Sequence, residues 1–126
     1  MKRLFITATK TTPEVDFNPE NGQLKISGES FPENSADFYA PIIAWLQNYI
    51  SRNPSISLTF KMIYFNTSSS KAILDIIALL QDYHNKGGVA EINWMYQEDD
   101  EDIMETGLEF TEKLSLECKL IPYSEQ

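Results

Sequence analysis

The sequence predicts an α/β domain with one mixed β-sheet, formed by an N-terminal antiparallel hairpin followed by alternating helices and strands. Three observations support this fold class. The chain has 126 residues, which suits one domain. The first part contains short β-rich segments, and the rest alternates between helical and strand patterns. The predicted order, β-β-β-α-β-α-β-α-β, implies right-handed crossovers and a largely parallel second half. We expect residues 1–126 to form a single domain.

Strand patterns separated by turn residues occupy the N-terminal part. Asn-Gly adopts positive φ at little cost, so Asn21-Gly22 predicts a tight hairpin turn between the second and third strands. The residues from Gly28 to Ser35 are predicted to form a loop. The predicted strands cover residues 4–8, 14–17 and 23–27.

Helices and strands alternate through the rest of the chain. The strand that ends at Phe65 is apolar on both faces in its second half, which is typical of a central strand covered on two sides. Gly87-Gly88 is predicted to end the clearest helix, and Gly107 is a weak point in the last one. The predicted helices cover residues 36–51, 71–85 and 101–114, and the predicted strands cover residues 56–65, 89–96 and 117–121.

The start of the first helix carries conflicting signals. Asn34 or Ser35 can cap it, and Asp37 suits its first turn. Pro41 lacks a backbone N–H, so it is predicted to kink this helix or to delay its regular start.

Composition restricts the classes of function. The formal net charge of −9 argues against nucleic acid or an anionic membrane as a partner. Cys118 and His84 are the single cysteine and histidine, so the chain has no internal disulfide and no Cys/His zinc site. The sequence shows no signal peptide and no apolar run of bilayer length, which makes the cytoplasm the expected location.

The predicted start of the second helix differs in charge from the other two helix starts. Glu33 and Asp37 precede or enter the first helix, and Asp99–Asp102 lead into the last, so each complements its own helix dipole. The second has Asn66-Thr67-Ser68-Ser69-Ser70 and then Lys71, with no carboxylate. Backbone N–H groups, hydroxyls and a cation suit a phosphate, either on a ligand or attached covalently. An ordinary N-cap with solvated serines is the simpler interpretation, because Asn, Ser and Thr are favoured caps.

Two motifs together resemble those of a known family. Gly28-Glu29-Ser30-Phe31-Pro32-Glu33-Asn34-Ser35, and Tyr64-Phe65-Asn66-Thr67-Ser68-Ser69 with Lys71-Ala72, resemble the SiaC family of bacterial regulatory phosphoproteins. The resemblance spans nearly the whole chain. It implies a fold similar to STAS-type anti-sigma-factor antagonists, in which a partner kinase phosphorylates a Ser or Thr at a helix start and a PP2C-like phosphatase restores it. It further implies that the unphosphorylated form binds and activates a diguanylate cyclase, raising cyclic di-GMP and promoting biofilm formation.

The same resemblance assigns roles to individual residues. Thr67 matches the phosphoacceptor of the family. The resemblance leaves open whether Ser68, Ser69 or Ser70 is also modified. The charge and hydroxyl pattern of the helix start supplies the supporting roles: Asn66 and the N–H groups of Ser68 and Ser69 would position the acceptor, and Lys71 would steady the phosphate. A candidate partner surface comprises Pro32, Glu33, Asn34 and Ser35. On this interpretation the protein is not an enzyme and needs no cofactor.

Two alternatives remain open from the sequence. The first is an enzyme or small-molecule-binding protein that uses the helix start at residues 66–71 to hold a phosphorylated ligand. The second is an interaction domain that is never modified.

Overall fold

In the computed structural model, which describes residues 1–124, a six-stranded sheet packs against three helices. Strands that are consecutive in the sequence are also neighbours in the sheet, in the order β1-β2-β3-β4-β5-β6. The strands are β1 (Leu4–Ile6), β2 (Glu14–Asn18), β3 (Gln23–Ser30), β4 (Ser55–Phe65), β5 (Val89–Gln97) and β6 (Glu117–Tyr123). The helices are α1 (Ser35–Ile50), α2 (Thr67–Asn85) and α3 (Glu101–Thr111).

The sheet is mixed, as the sequence predicts. The β1–β2 and β2–β3 pairs are antiparallel, and β3, β4, β5 and β6 pair in parallel. Each helix connects one parallel strand to the next, and every crossover steps in the same direction along the sheet. Right-handed crossovers that all step the same way place their helices on one face. The predicted fold class is therefore confirmed.

Strand β4 corrects the prediction of a central strand covered on two sides. Its alternate residues from Ile56 to Met62 are buried, whereas Ile63 and Tyr64 are 46% and 51% exposed. The prediction is wrong because all three helices lie on one face and leave the other face of the sheet open to solvent.

The β2–β3 hairpin has a longer loop than predicted. Asn18 pairs with Gln23, so four residues connect the strands instead of a two-residue Asn-Gly turn. Gly22 has a φ of +72°, and a Cβ there would lie 2.0 Å from the Ser55 carbonyl oxygen. Glycine is required here both by the backbone conformation and by the close approach of β4.

Strand β3 continues through residues predicted to be a loop. A register shift at Gly28/Glu29, where Gly28 has a φ of +113°, lets β3 resume its pairing with β4 as far as Ser30 opposite Phe65. The predicted loop from residue 28 is therefore wrong at its start. The extension matters for the site, because it carries Ser30 to the sheet edge where α2 begins.

The starts of α1 and α2 also differ from the predicted bounds. Helix α1 begins at Ser35 and runs through Pro41, so the proline does not delay its start. Asn34 is the cap: its Oδ1 accepts a hydrogen bond from the Asp37 N–H at 3.1 Å. Helix α2 already begins at Thr67, which places the hydroxyl-rich turn inside its first turn.

Two glycine positions have clear roles in the helices. Gly87, at a φ of +95°, and the bond from the Gly88 N–H to the Tyr83 carbonyl at 2.9 Å end α2, as predicted. Gly107 is more than a weak point in α3, because a Cβ there would lie 2.3 Å from the Trp94 ring. The glycine allows α3 to pack closely on the sheet. Among the helices of residues 1–124, none has the length and apolarity needed to cross a membrane.

Candidate functional site

The starts of α1 and α2 meet at one edge of the sheet. Their preceding strands, β3 and β4, are parallel neighbours, so the helices that follow them begin side by side. Ser35 Oγ lies 2.8 Å from Ser68 Oγ and 3.2 Å from Ser69 Oγ. We call the linked side chains at this junction the hydroxyl cluster; its members are Ser30, Ser35, Tyr39, Ser68 and Ser69.

The inner part of the hydroxyl cluster is fully buried. Ser30 Oγ lies 2.8 Å from both Tyr39 OH and Ser69 Oγ, and Ser30 and Ser69 are 0% exposed. Burial raises the pKa of the Tyr39 phenol, which therefore stays protonated and able to donate. Because a buried hydroxyl is costly unless it is bonded, these contacts hold the two helix starts in one arrangement.

Asn66 organises the first turn of α2. Its Oδ1 accepts hydrogen bonds from the Ser69 N–H at 2.9 Å and from the Ser68 hydroxyl at 3.2 Å. Its own N–H donates to the Ser30 carbonyl at 3.0 Å. Asn66 is thus the N-cap and also connects α2 to the end of β3.

Thr67 is the hydroxyl of this turn that the fold does not use. Its side chain is exposed and has no hydrogen-bond partner among residues 1–124. Ser68 is also exposed, but it is bonded to two neighbours. Ser69 is buried, and the Ser70 hydroxyl donates to the Thr67 carbonyl at 2.7 Å. Within the first turn, Thr67 therefore combines solvent access with a free hydroxyl.

Lys71 lies at the end of this turn. Its Nζ is 3.5 Å from Asp75 Oδ2, one helical turn further on, and its side chain is 80% exposed. An exposed ion pair of this kind contributes only about 0–1 kcal/mol. The ammonium group can therefore leave Asp75 for a stronger anion nearby at little cost.

The loop before α1 divides into exposed and buried parts. Glu33 and Asn34 are exposed and Pro32 is half-buried, so these residues are available on the surface. Ser35 is only 5% exposed and contacts α2 instead of solvent. This side chain therefore departs from the expectation that the whole segment 32–35 lies on the surface.

Sequence reasoning did not single out Ser30 and Tyr39. Local patterns predict a loop at Ser30, and nothing local shows that its hydroxyl meets Ser69, 39 residues further along the chain. Phe31 and Tyr64, an exposed aromatic pair with ring centroids 5.9 Å apart, were also missed. Both residues belong to the two motifs that resemble the SiaC family, and this membership was the available signal.

A groove runs between α1 and α2 from the Ser35–Ser68 contact. Its volume is about 430 Å³, and its charged residues are Lys71 and Asp75. Small or apolar side chains form much of its remaining lining: Ala36, Ala40, Ile43, Ala44 and Ala72. Among residues 1–124, no group of three or more His, Cys, Asp or Glu side chains is placed to hold a metal ion.

Known proteins resemble this chain in both sequence and fold. Residues 6–123 match the sequence profile of the family described as SiaC family regulatory phosphoprotein. An uncharacterised protein of Pseudomonas aeruginosa strain UCBPP-PA14 is 33% identical over 116 residues, covering 91% of this chain and 92% of that protein. The crystal structure of apo-SiaC from Pseudomonas aeruginosa matches with a TM-score of 0.90 at 31% identity, covering 96% of this chain and 99% of that one. The SiaC-containing structure of the diguanylate cyclase SiaD with its activator SiaC, also from Pseudomonas aeruginosa, matches with a TM-score of 0.92 at 30% identity, covering 95% and 99%.

Proposed function

The chain belongs to the SiaC family of regulatory phosphoproteins, and from that premise we propose that its unphosphorylated form binds and activates a diguanylate cyclase. A partner kinase phosphorylates Thr67 and thereby blocks binding, and a PP2C-like phosphatase reverses the modification. The output is cyclic di-GMP, which promotes biofilm formation. The observation that carries this proposal is Thr67 itself, an exposed hydroxyl at a helix start with no hydrogen-bond partner among residues 1–124.

The solved complex supports a cyclase as the partner. In that complex, SiaC is described as the activator of the diguanylate cyclase SiaD. The present chain matches it with a TM-score of 0.92 over 95% of its length. This similarity of fold supports the same class of partner for this chain.

The first turn of α2 suits a covalently attached phosphate. A phosphoryl group adds about −1.5 to −2 charges and three acceptor oxygens, and it would lie at the positive end of the helix dipole. The N–H groups of Thr67 and Ser68 belong to the first turn and have no acceptor within the helix. Asn66 and Ser69 hold this turn in place through the cap, and Lys71 can turn from Asp75 to the phosphate.

Phosphorylation would block binding through both charge and bulk. We assign the α1–α2 groove to the surface that binds the cyclase, together with the half-buried Pro32 and the exposed Glu33 and Asn34. The groove begins at Ser68, the residue after Thr67. A partner that fits the neutral hydroxyl would have to accommodate and desolvate a dianion at this end of its interface, which disrupts binding.

The protein acts as a binding partner and not as an enzyme in this scheme. It needs no cofactor, because the kinase supplies ATP and magnesium. We place it in the cytoplasm, together with its kinase, phosphatase and cyclase.

The proposal is tested by expressing tagged wild type, Thr67→Ala and Thr67→Glu in the native cell. Phosphopeptide mapping by mass spectrometry should find phosphate on Thr67 of the wild type and none at the corresponding position of either variant. Cyclase copurified with each protein should make cyclic di-GMP from GTP, with Thr67→Ala at least as active as wild type and Thr67→Glu less active. Unmodified Thr67 in every growth condition, or equal cyclase recovery with phosphorylated and unphosphorylated protein, would overturn the proposal.

A further inference from the structure

We propose that Ser35 is a positioning residue that restricts phosphorylation to Thr67, by holding the adjacent Ser68 hydroxyl out of the kinase reaction. The inference rests on the proposed function, because it takes Thr67 to be the acceptor. It assigns a role to a buried side chain on a different helix.

Solvent access alone does not distinguish Thr67 from Ser68, since both side chains are exposed. They differ in their hydrogen bonds. The Ser68 hydroxyl donates to Asn66 Oδ1 at 3.2 Å, and its oxygen lies 2.8 Å from Ser35 Oγ. A serine hydroxyl has one proton and two lone pairs. With Ser35 as the donor to Ser68, the proton and one lone pair of Ser68 are both occupied.

Phosphoryl transfer uses the proton and a lone pair of the acceptor hydroxyl, and in Ser68 these already form hydrogen bonds with Asn66 and Ser35. The hydroxyl oxygen attacks the γ-phosphorus of ATP, the bond from that phosphorus to the β–γ bridging oxygen breaks, and ADP leaves. The hydroxyl proton passes to a base of the kinase. Thr67 breaks no side-chain hydrogen bond to react. Ser68 must first break its hydrogen bonds to Ser35 and Asn66. Each such bond lowers the population of hydroxyl that is free to react by a factor of about two to ten.

The surroundings of Ser35 add a steric reason. Its side chain is only 5% exposed and lies between the starts of α1 and α2. A phosphate on Ser68 in its present orientation would replace the 2.8 Å contact with Ser35 by a larger, charged group. The two helix starts would then have to separate, whereas a phosphate on Thr67 faces solvent.

The test measures where phosphate is attached in protein isolated from the native cell. Trypsin releases residues 62–71 as one peptide that contains all four hydroxyl residues of the turn. Tandem mass spectrometry then assigns the phosphate in wild type, Ser35→Ala, Thr67→Ala and the double variant. Ser35→Ala should raise the share of phosphate on Ser68 about two- to tenfold, and the double variant should carry more on Ser68 than Thr67→Ala does.

Two controls separate positioning from a general loss of structure. Ser35→Thr restores a hydroxyl and should restore the low share on Ser68. Ser51→Ala removes an exposed serine at the other end of α1 and should leave the share unchanged. Thermal unfolding establishes that each variant is folded. If Ser35→Ala is not, Ser35→Cys keeps the volume with a weaker donor and should give an intermediate share.

The outcomes distinguish this inference from the proposed function. Normal labelling of Thr67 with no rise on Ser68 in folded Ser35 variants would overturn the role of Ser35 and leave the proposed function intact. A wild-type protein that carries no phosphate on Thr67 would overturn both. A rise on Ser68 that Ser35→Thr reverses would support the inference.

Discussion

The phenol oxygen of Tyr39 and the hydroxyl oxygen of Ser30 lie 2.8 Å apart in the core, directly beneath the start of α2. The same Ser30 oxygen also contacts the Ser69 hydroxyl, and the backbone carbonyl of Ser30 accepts a hydrogen bond from the Asn66 N–H. One residue at the end of β3 therefore supports α1 and α2 together. These contacts hold the starts of the two helices together beneath the exposed Thr67.

Tyr39→Phe should destabilise the protein by about 0.5–1.5 kcal/mol, the net value of one hydrogen bond. The effect should not exceed that range, because Ser30 keeps Ser69 as a partner. Urea unfolding followed by circular dichroism measures the difference. Tyr64→Phe is the matched control, because Tyr64 is half exposed and should change stability little. Equal stability of Tyr39→Phe and wild type would show that the phenol contributes nothing.

Ala40→Arg should reduce cyclase activation at least tenfold without unfolding the protein. Ala40 is exposed and lines the α1–α2 groove, so a long cation there fills the proposed docking surface. Cyclic di-GMP production by the copurified cyclase is the measurement. Ala78→Arg makes the same change at an exposed position of α2 outside the groove lining, and it should activate like wild type. Full activation by Ala40→Arg would remove the groove from the docking surface.

Gly107→Ala should destabilise the protein by about 1–3 kcal/mol, as expected for overpacking. Helix propensity alone would make Gly107→Ala more stable by about 1 kcal/mol, because alanine favours a helix over glycine. The sign of the change in the free energy of unfolding therefore shows whether packing or propensity dominates. The added Cβ would meet the Trp94 ring at 2.3 Å and disturb the bond from Trp94 Nε1 to the Ile103 carbonyl. Denaturant unfolding gives the change, with Glu105→Ala on the exposed face of α3 as the control. A stabilised Gly107→Ala protein would contradict the packing argument.

Ser57→Ala should raise the pKa of Glu91. The Ser57 hydroxyl donates to Glu91 Oε2 at 2.7 Å on the open face of the sheet, and this bond is the main reason that the pKa of Glu91 lies below its ordinary value. A lowered pKa in the folded state contributes stability above the unfolded pKa of about 4.3, which is lost as pH falls through the folded value.

The stability difference between wild type and Ser57→Ala should therefore be larger at pH 6 than at pH 3. An NMR titration of the Glu91 carboxyl carbon measures the pKa directly, and urea unfolding at the two pH values measures the linkage. Ser55→Ala, at an exposed position of the same strand, is the control. An unchanged Glu91 titration in Ser57→Ala would show that Ser57 does not set this pKa.

The sequence by itself determined the parts of the protein that depend on neighbouring residues. The order of the helices and strands in residues 1–124, the hairpin near Gly22 and the glycine stop of α2 all follow from local patterns. The Asn66 cap bonds a group only three residues away, so its signature is visible in the chain. The two quoted motifs also carried enough specificity to identify the family.

Only the tertiary structure decided which face of the sheet is covered and which hydroxyls meet. The direction of successive crossovers leaves one face open, so an apolar pattern in β4 could not show that Ile63 is exposed. Ser35 and Ser68 are 33 residues apart, and they meet because parallel strands bring two helix starts to one edge. The hydrophobic periodicity of a helix or strand predicts which of its own residues are buried. It holds no information on the partner supplied by another element, and that partner is what distinguishes Thr67 from Ser68.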